Sequence, residues 1–247
     1  MSDPQRIAKF LSAAGICSRR DAERLIVEAR VTVNGEILTT PATLVSDTDA
    51  IKVDGKLIKN IALTPRLWIY HKPVGLITSH RDEHDRPTVF DYLPPNLPRV
   101  ISVGRLDVNS EGLLLLTTSG ALSRALELPK NAMERTYRVR VHTTPDERDL
   151  DAIRDGITID GVHYAPADVA LESTKETGRN RWLTITLREG KNREIRRLFE
   201  YFDHRVSRLI RVSYGPFALG NLKENKVEEV PAKEVLALCQ ELKLEIE

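Results

Sequence analysis

GRLDVNSEGLLLLTTSG, residues 104–120, is a polar loop that runs into an apolar strand. Residues 100–103 ahead of it read as a strand, residues 113–118 as a buried strand, and residues 121–126 as a short helix. The loop, residues 104–112, is dense in side-chain functionality. Asp107 follows one strand and precedes another, so its carboxylate can point into a cleft while the flanking strands hold it rigid. On spacing alone Asp107 reads equally as a turn cap, because Asp-x-Asn-Ser is good turn chemistry. Asp107 with Glu111 also suggests the paired carboxylates of a glycoside hydrolase, although nothing else supports the second carboxylate.

Working outward, residues 136–141 alternate as a strand that places Tyr137 on the side of Val139 and Val141. In isolation Tyr137 is a core tyrosine. Residues 145–155 form an amphipathic helix, and strands are expected at 157–159, 169–172 and 182–187. Residues 192–202 have helical spacing, with Ile195, Leu198, Phe199 and Phe202 on one face. Arg193, Arg196 and Arg197 cluster at its start, beside Lys191. Arg196 falls at the edge of the buried face, where an arginine needs a partner. Residues 206–212 are strand-like and 232–242 helical. On the other side, a strand at 67–71 is stopped by Pro73 and Gly75. A polar loop follows at 80–86, then a Pro-rich turn at 94–98. Many strands and few helices make this an α+β chain.

The first sixty residues form a separate unit. Residues 6–14 and 18–29 read as helices, the second capped by Ser18. Strands at 31–33 and 37–38 flank Asn34-Gly35, a strong hairpin signal. A second pair, 50–53 and 56–58, turns at Asp54-Gly55. Residues 59–66 read as a linker, dividing the chain into domains at 1–62 and 66–247. Within 15–35, Arg19, Arg20 and Arg24 lie at or near a helix start, where arginines and backbone N–H groups together suit phosphates. A two-helix scaffold with exposed arginines explains them as well.

The net charge of +1 says nothing about partners, but its distribution does. Residues 5–30 carry six Lys/Arg against three acids, and residues 188–211 eight against four. The tail, 221–247, carries four Lys against seven Glu. Two Arg-rich zones in a neutral chain point to a polyanion. No apolar run approaches the ~20 residues of a membrane span. The start MSDPQRIAKF has no apolar core of a signal peptide. Cys17 and Cys239 lie at opposite ends and suggest neither a disulfide framework nor a metal site. His80 and His84 sit in a polar loop and do not make one either. The expectation is a cytoplasmic monomer with no metal and no organic cofactor.

Several motifs together carry a resemblance. GRLD followed by SEGLLLLT, the ERTYRV strand, EGKNREIRRLF, and then VSRLIRVSYG resemble the RsuA/RluB branch of pseudouridine synthases. HKPVG, residues 71–75, is similar to that branch's opening strand and turn. Residues 5–60 resemble the S4 RNA-binding domain. The likeness runs in order through about residues 5–230. The N-R-E-I-R-R form is more like the RluB side, which acts on large-subunit ribosomal RNA. The acidic tail departs from the basic extension of some relatives, which bears on the substrate and not on the chemistry.

The resemblance implies an S4-like domain ahead of a mixed, mainly antiparallel catalytic sheet, with ribosomal RNA as partner. It implies Asp107 as a nucleophile that forms a covalent adduct. Tyr137 would stack on the uracil and assist proton removal. Arg105 would help hold the flipped base, and Arg196 would pair with Asp107 and keep it ionised. Lys191, Arg193, Arg197, Arg19, Arg20 and Arg24 would contact RNA. Two other readings compete: a non-catalytic RNA-binding or ribosome-assembly factor, and a nucleoside or glycoside hydrolase. The first has no use for a buried carboxylate. The second needs a water-activating group and no S4 domain.

Overall fold

A computed structural model describes residues 4–46, 48–58, 64–80, 82, 84–172 and 180–244. The N-terminal unit runs β1 (Gln5–Arg6), α1 (Ile7–Ala13), α2 (Arg19–Val27), β2 (Val31–Val33), β3 (Glu36–Ile37), β4 (Leu44–Val45), β5 (Ile51–Val53) and β6 (Lys56–Ile58). Ser18 caps α2 as its sequence position predicts, its Oγ accepting from the Asp21 N–H at 3.0 Å. Asn34 and Gly35 take positive φ at the β2–β3 turn, the geometry a tight hairpin demands. Ile7, Phe10, Leu11, Ala22, Ile26, Val31 and Ile51 close a hydrophobic cluster that contains no residue beyond Ile58. The β1–β4 pairing is not visible in the sequence, since two-residue strands carry no periodicity. Most of the expected linker, residues 59–63, lies outside the described residues.

The second unit runs β7 (Leu67–Lys72), β8 (Ile101–Ser102), β9 (Glu111–Thr117), α3 (Gly120–Glu127), β10 (Arg135–Val141), α4 (Glu147–Asp155), β11 (Ile157–Ile159) and β12 (Val162–Tyr164). It continues with β13 (Asp168–Leu171), β14 (Arg181–Leu187), α5 (Glu194–Tyr201), β15 (Val206–Tyr214), β16 (Phe217–Ala218), β17 (Val227–Glu229) and α6 (Ala232–Glu241). Among the described residues nine strands share one sheet, with a main path of β13-β14-β10-β15-β9-β7-β17. Its pairings are antiparallel except one: β9 and β15 run parallel.

The leucine run explains the layering. Leu114 and Leu116 join one cluster with Leu150 and Ile153 of α4 and Leu198 and Phe199 of α5. Leu113 and Leu115 join another with Leu122 of α3 and Val235 of α6. A strand covered on both faces has no solvent side, so its apolar residues run on without alternation. At the next pairing but one, β10 alternates buried and half-buried from Arg135 to Val141, as its sequence predicts. Among the described residues no helix is long and apolar enough to cross a membrane.

The differences from the sequence reading are local. Asp160-Gly161 turns an unforeseen hairpin between β11 and β12. Strand β17 adds to the free edge of β7. Residues 89–92 form a 3-10 turn capped by Thr88. Helix α5 begins at Glu194, two residues later than its spacing suggests, because Arg193 takes a left-handed φ of 51°.

Gly112 sits where the parallel pair meets. Its φ is +104°, and an added Cβ would lie 2.3 Å from the Arg211 carbonyl oxygen, a backbone atom that cannot swing aside. Both strain and overlap oppose a side chain there. Gly112→Ala is expected to lower unfolding free energy by about 1–3 kcal/mol, read by urea denaturation of the two proteins.

Candidate active site

The loop between β8 and β9 is held residue by residue. The Leu106 carbonyl accepts from Thr78 Oγ1 at 2.9 Å, and the Leu106 N–H donates back to that oxygen at 3.3 Å. The Asp107 carbonyl accepts from the Ser110 N–H at 3.0 Å and from Lys72 Nζ at 3.1 Å. The Val108 carbonyl accepts from the Gly75 N–H at 2.8 Å. The Asn109 carbonyl accepts from Arg196 Nη2 at 2.7 Å, and the Ser110 carbonyl from Lys72 Nζ at 2.8 Å. Five consecutive carbonyls are thereby fixed from outside or across the loop. The backbone that presents Asp107 has no freedom to drift.

Lys72 is central to this, and sequence reasoning does not single it out. It ends β7, is fully buried, and donates to Pro73, Asp107 and Ser110 carbonyls. Three donors meet three acceptors, so the buried ammonium is fully satisfied. Burial pushes it down to about 8, against the charges of Asp107 and Glu111, which pull the other way. The sequence signal is a lysine closing a mostly apolar strand just before a proline.

Arg196 is 8% exposed, as its place on the helix predicts, but it forms no ion pair with Asp107. Its terminal nitrogens go to the carbonyls of Val206, at 3.2 Å, and Asn109. The guanidinium is committed to backbone oxygens, and it reaches Asp107 only through space. Burial lowers its proton affinity, with Arg193 adding to this and Asp107 opposing it. Arg196 is thus a clamp on the loop and not the direct partner that was expected.

A cleft of about 270 Å³ opens beside the loop, lined by Asp107, Arg105, Tyr137, Lys191 and Arg193 among others. Asp107 is half-buried, Arg105 and Arg193 are exposed at the rim, and Tyr137 is 9% exposed in the wall. Three further residues of the cleft lining are ones that sequence reasoning missed. Tyr214 has two guanidinium groups against its ring, Arg135 at 4.8 Å and Arg211 at 5.1 Å from its centre. Arg135 also donates to the Tyr214 hydroxyl at 2.9 Å. Arg211 pairs with Tyr137 across the strands and donates to the Leu113 carbonyl at 2.7 Å. Cations stacked on a buried ring keep positive charge at the cleft wall, with no carboxylate partner among the described residues.

Other expected residues separate. Glu111 is buried but lies outside the cleft lining, with its carboxylate on Arg208. The paired-carboxylate reading therefore loses its second member. Arg197 is exposed, its nearest partner the Tyr164 hydroxyl at 3.5 Å. Arg19, Arg20 and Arg24 are exposed on α2, and Arg24 is shared with Asp21 and Glu28. His80 stacks on Phe90. Among the described residues no group of three His, Cys, Asp or Glu is placed to hold a metal ion.

A family model described as RNA pseudouridylate synthase matches residues 66–201, and one described as S4 domain matches residues 5–51. This chain belongs to the RNA pseudouridine synthase family. A protein of Rickettsia felis called an uncharacterized RNA pseudouridine synthase is 52% identical over 229 residues, covering 93% of this chain and 98% of its own. The ribosomal large subunit pseudouridine synthase B of Pseudomonas aeruginosa is 38% identical over 245 residues, but this chain spans only 63% of its length. That of Pasteurella multocida is 40% identical over 223 residues, again across 63% of its length. A crystal structure described as pseudouridylate synthase covers 94% of this chain and 99% of its own with TM-score 0.66 and 28% identity. The synthase is thus an α+β enzyme with an S4 domain at its N-terminus.

Lys72→Met keeps the volume and removes all three donors. The synthase is expected to lose about 1–3 kcal/mol of stability, the cost of stranded carbonyls. Turnover should fall further than RNA affinity, because the slackened element is the loop bearing Asp107. Melting curves and single-turnover rates at saturating RNA, set beside a binding titration, check both halves.

Proposed function

We propose that this synthase converts a specific uridine of ribosomal RNA, in the large subunit, to pseudouridine with Asp107 as nucleophile. The observation that carries the reading is the placement of the Asp107 carboxylate in a cleft with Tyr137, on backbone fixed at every carbonyl from Leu106 to Ser110. The names of the Pseudomonas and Pasteurella relatives support the large subunit.

The chemistry sets the requirements. The C1′–N1 bond of uridine breaks, the uracil rotates, and C5 bonds to C1′. The C5 proton leaves and N1 gains one, so nothing is lost or added overall. A base inside RNA structure is out of reach, so the nucleotide must be extruded into the cleft. Arg105, two residues before Asp107 and exposed in the cleft lining, holds the extruded state. Asp107 forms the covalent adduct that splits one difficult step into two. Tyr137 offers a ring face to the uracil and a hydroxyl to assist proton removal from C5. Lys191 and Arg193 meet backbone phosphates at the mouth, and Arg197 extends that surface. Arg19, Arg20 and Arg24 anchor folded RNA through its backbone and shape.

Asp107→Asn tests the nucleophile. The variant is expected to release no tritium from C5-labelled uridine in RNA. Its dissociation constant should stay within about threefold, because phosphate contacts carry the affinity. Wild-type release would exclude Asp107. Free uracil among the products would mark a hydrolase instead.

The two domains divide the labour. The clusters of the second unit begin at Leu67 and Trp68 and include nothing from the first. A chain beginning at Ile61 is expected to fold and to bind RNA more weakly. Its log-affinity should fall less steeply with log salt, by close to one unit of slope for each phosphate that is no longer neutralised. Its rate at saturating RNA should drop much less. A salt series on both proteins reads affinity and slope together. Equal slopes would remove the first domain from the anchoring role.

A further inference from the structure

The turn joining β14 to α5 closes over two carboxyl groups. Glu189 follows β14, and Glu194 is the first residue of α5. Glu194 is 3% exposed. One of its oxygens accepts from the Lys191 N–H at 2.9 Å. The other, Oε1, is buried and meets no donor among the described residues. The Glu189 carboxyl lies within hydrogen-bonding reach of Glu194. Glu189 has its own donors, the Ala165 N–H at 2.8 Å and the Lys191 ammonium. Both carboxyls belong to the wall of the cleft that holds Asp107.

Two ionised carboxylates in contact, one with an oxygen buried and bare, would be costly. One proton removes the difficulty. A neutral Glu194 accepts from Lys191 with its carbonyl oxygen and donates through its hydroxyl to the Glu189 carboxylate. The orphaned oxygen then has a partner.

We propose that Glu194 works as a neutral carboxylic acid, and that the proton it shares with Glu189 holds the 189–194 turn, with Lys191 and Arg193, against the cleft. Glu194 is a positioning residue here. It fixes the start of α5, and α5 carries Arg196, which clamps the Asn109 carbonyl beside Asp107. Loss of the proton sets two buried negative charges against each other and loosens the turn.

The surroundings bear on where that happens. Lys191 and Arg193 on the turn itself, and the N-terminus of α5, favour a negative charge. From β10, Arg135 donates to the Glu189 backbone carbonyl at 3.4 Å. Tyr164 of β12 faces the Lys191 ammonium. Arg188 is tied to Glu134 and Asp168. Asp107 and Arg211 line the same cleft. Burial outweighs the favourable groups and pushes Glu194 up to about 7, the Lys191 N–H opposing this and Glu189 adding to it. Burial also works against Glu189, but the Lys191 ammonium and the Ala165 N–H hold it low. Because the folded protein binds the Glu194 proton more tightly than the unfolded chain, this stabilisation is complete below the ordinary carboxylate range. It is lost as pH rises through about 7.

The experiment has one arm that needs no activity. Carboxyl-carbon NMR of protein carrying ¹³C-labelled glutamate, assigned by the signal missing from Glu194→Gln, follows Glu194 from pH 4 to 9. The expected signal is that of a carboxylic acid at pH 6, changing near neutrality. Titration complete by pH 5 would overturn the proposal. The second arm rests on the isomerase reading above and measures kcat/KM for tritium release. Between pH 6 and 9 the wild type is expected to lose at least about tenfold, one pH unit of unfavourable proton release. Glu194→Gln, which keeps both acceptor and donor, should match the wild type at pH 6 and move the alkaline limb up toward that of Lys72, which burial pushes down to about 8. Glu194→Ala should be impaired throughout, with melting curves showing whether it folds. A Gln variant as poor as the Ala variant at pH 6 would also overturn the proposal. Should Asp107→Asn retain activity, the isomerase reading fails while the NMR titration still decides the state of Glu194.

Discussion

Everything at the site hangs on a single buried ammonium group. Lys72 touches the Asp107 loop at two points, the carbonyls of Asp107 and Ser110, and it ties them to its own strand end at Pro73. Burying a charge is expensive unless every donor is used. Here the donors are used on oxygens that themselves need partners, because the loop makes few bonds of its own. The cost of the ion and the need of the loop offset each other. The consequence is an acid on a braced backbone, the geometry that the nucleophilic role proposed for Asp107 would need.

The arginines follow this logic in part. Arg196 and Arg211 are buried and direct some of their donors to carbonyls of β-strands and loop alike, while Arg196 Nε and Arg211 Nη2 meet no acceptor among the described residues. Arg135 and Arg211 both rest against the ring of Tyr214. Many exposed arginines instead meet carboxylates, as in Arg30 with Asp54 or Arg66 with Glu229, where the gain is small. Arg105 and Arg193 belong to the cleft lining, and Arg19 and Arg20 to the exposed face of α2. A chain with net charge +1 therefore carries local clusters of arginine, on α2 and around the cleft, although acids line that cleft too.

Much of this architecture can be read in advance, and the limits have physical causes. The helix caps, the Asn34-Gly35 hairpin and the buried leucine strand follow from local chemistry, which is visible in a single stretch of residues. The Asp107 loop is visible as polar residues between strands. Lys72 is not, because its burial depends on carbonyls 35 and 38 residues further along the chain. Arg196 shows the boundary most clearly. Its place on the buried edge of α5 was legible, as was its need of a partner. The partner proved to be the Asn109 carbonyl, and carbonyls are the same in every residue, so no sequence pattern marks one out. The edge strand β17 escaped for a similar reason: three residues give no period to detect.

The parallel pairing of β9 with β15 has a consequence in time. Antiparallel neighbours can form as soon as a hairpin has been synthesised, but these two strands meet across 98 residues of chain, the separation of Arg211 from Leu113. At about 5–20 residues per second, the nascent polypeptide waits roughly 5–20 s after the Asp107 loop is made before β15 exists to complete its wall. Arg196 is made just ahead of β15 and Tyr214 at its end, so both also arrive well after the loop. The wall beside the loop is therefore completed only after the greater part of this domain has been made. The S4-like module, complete within its first 58 residues, is free to engage RNA well before that.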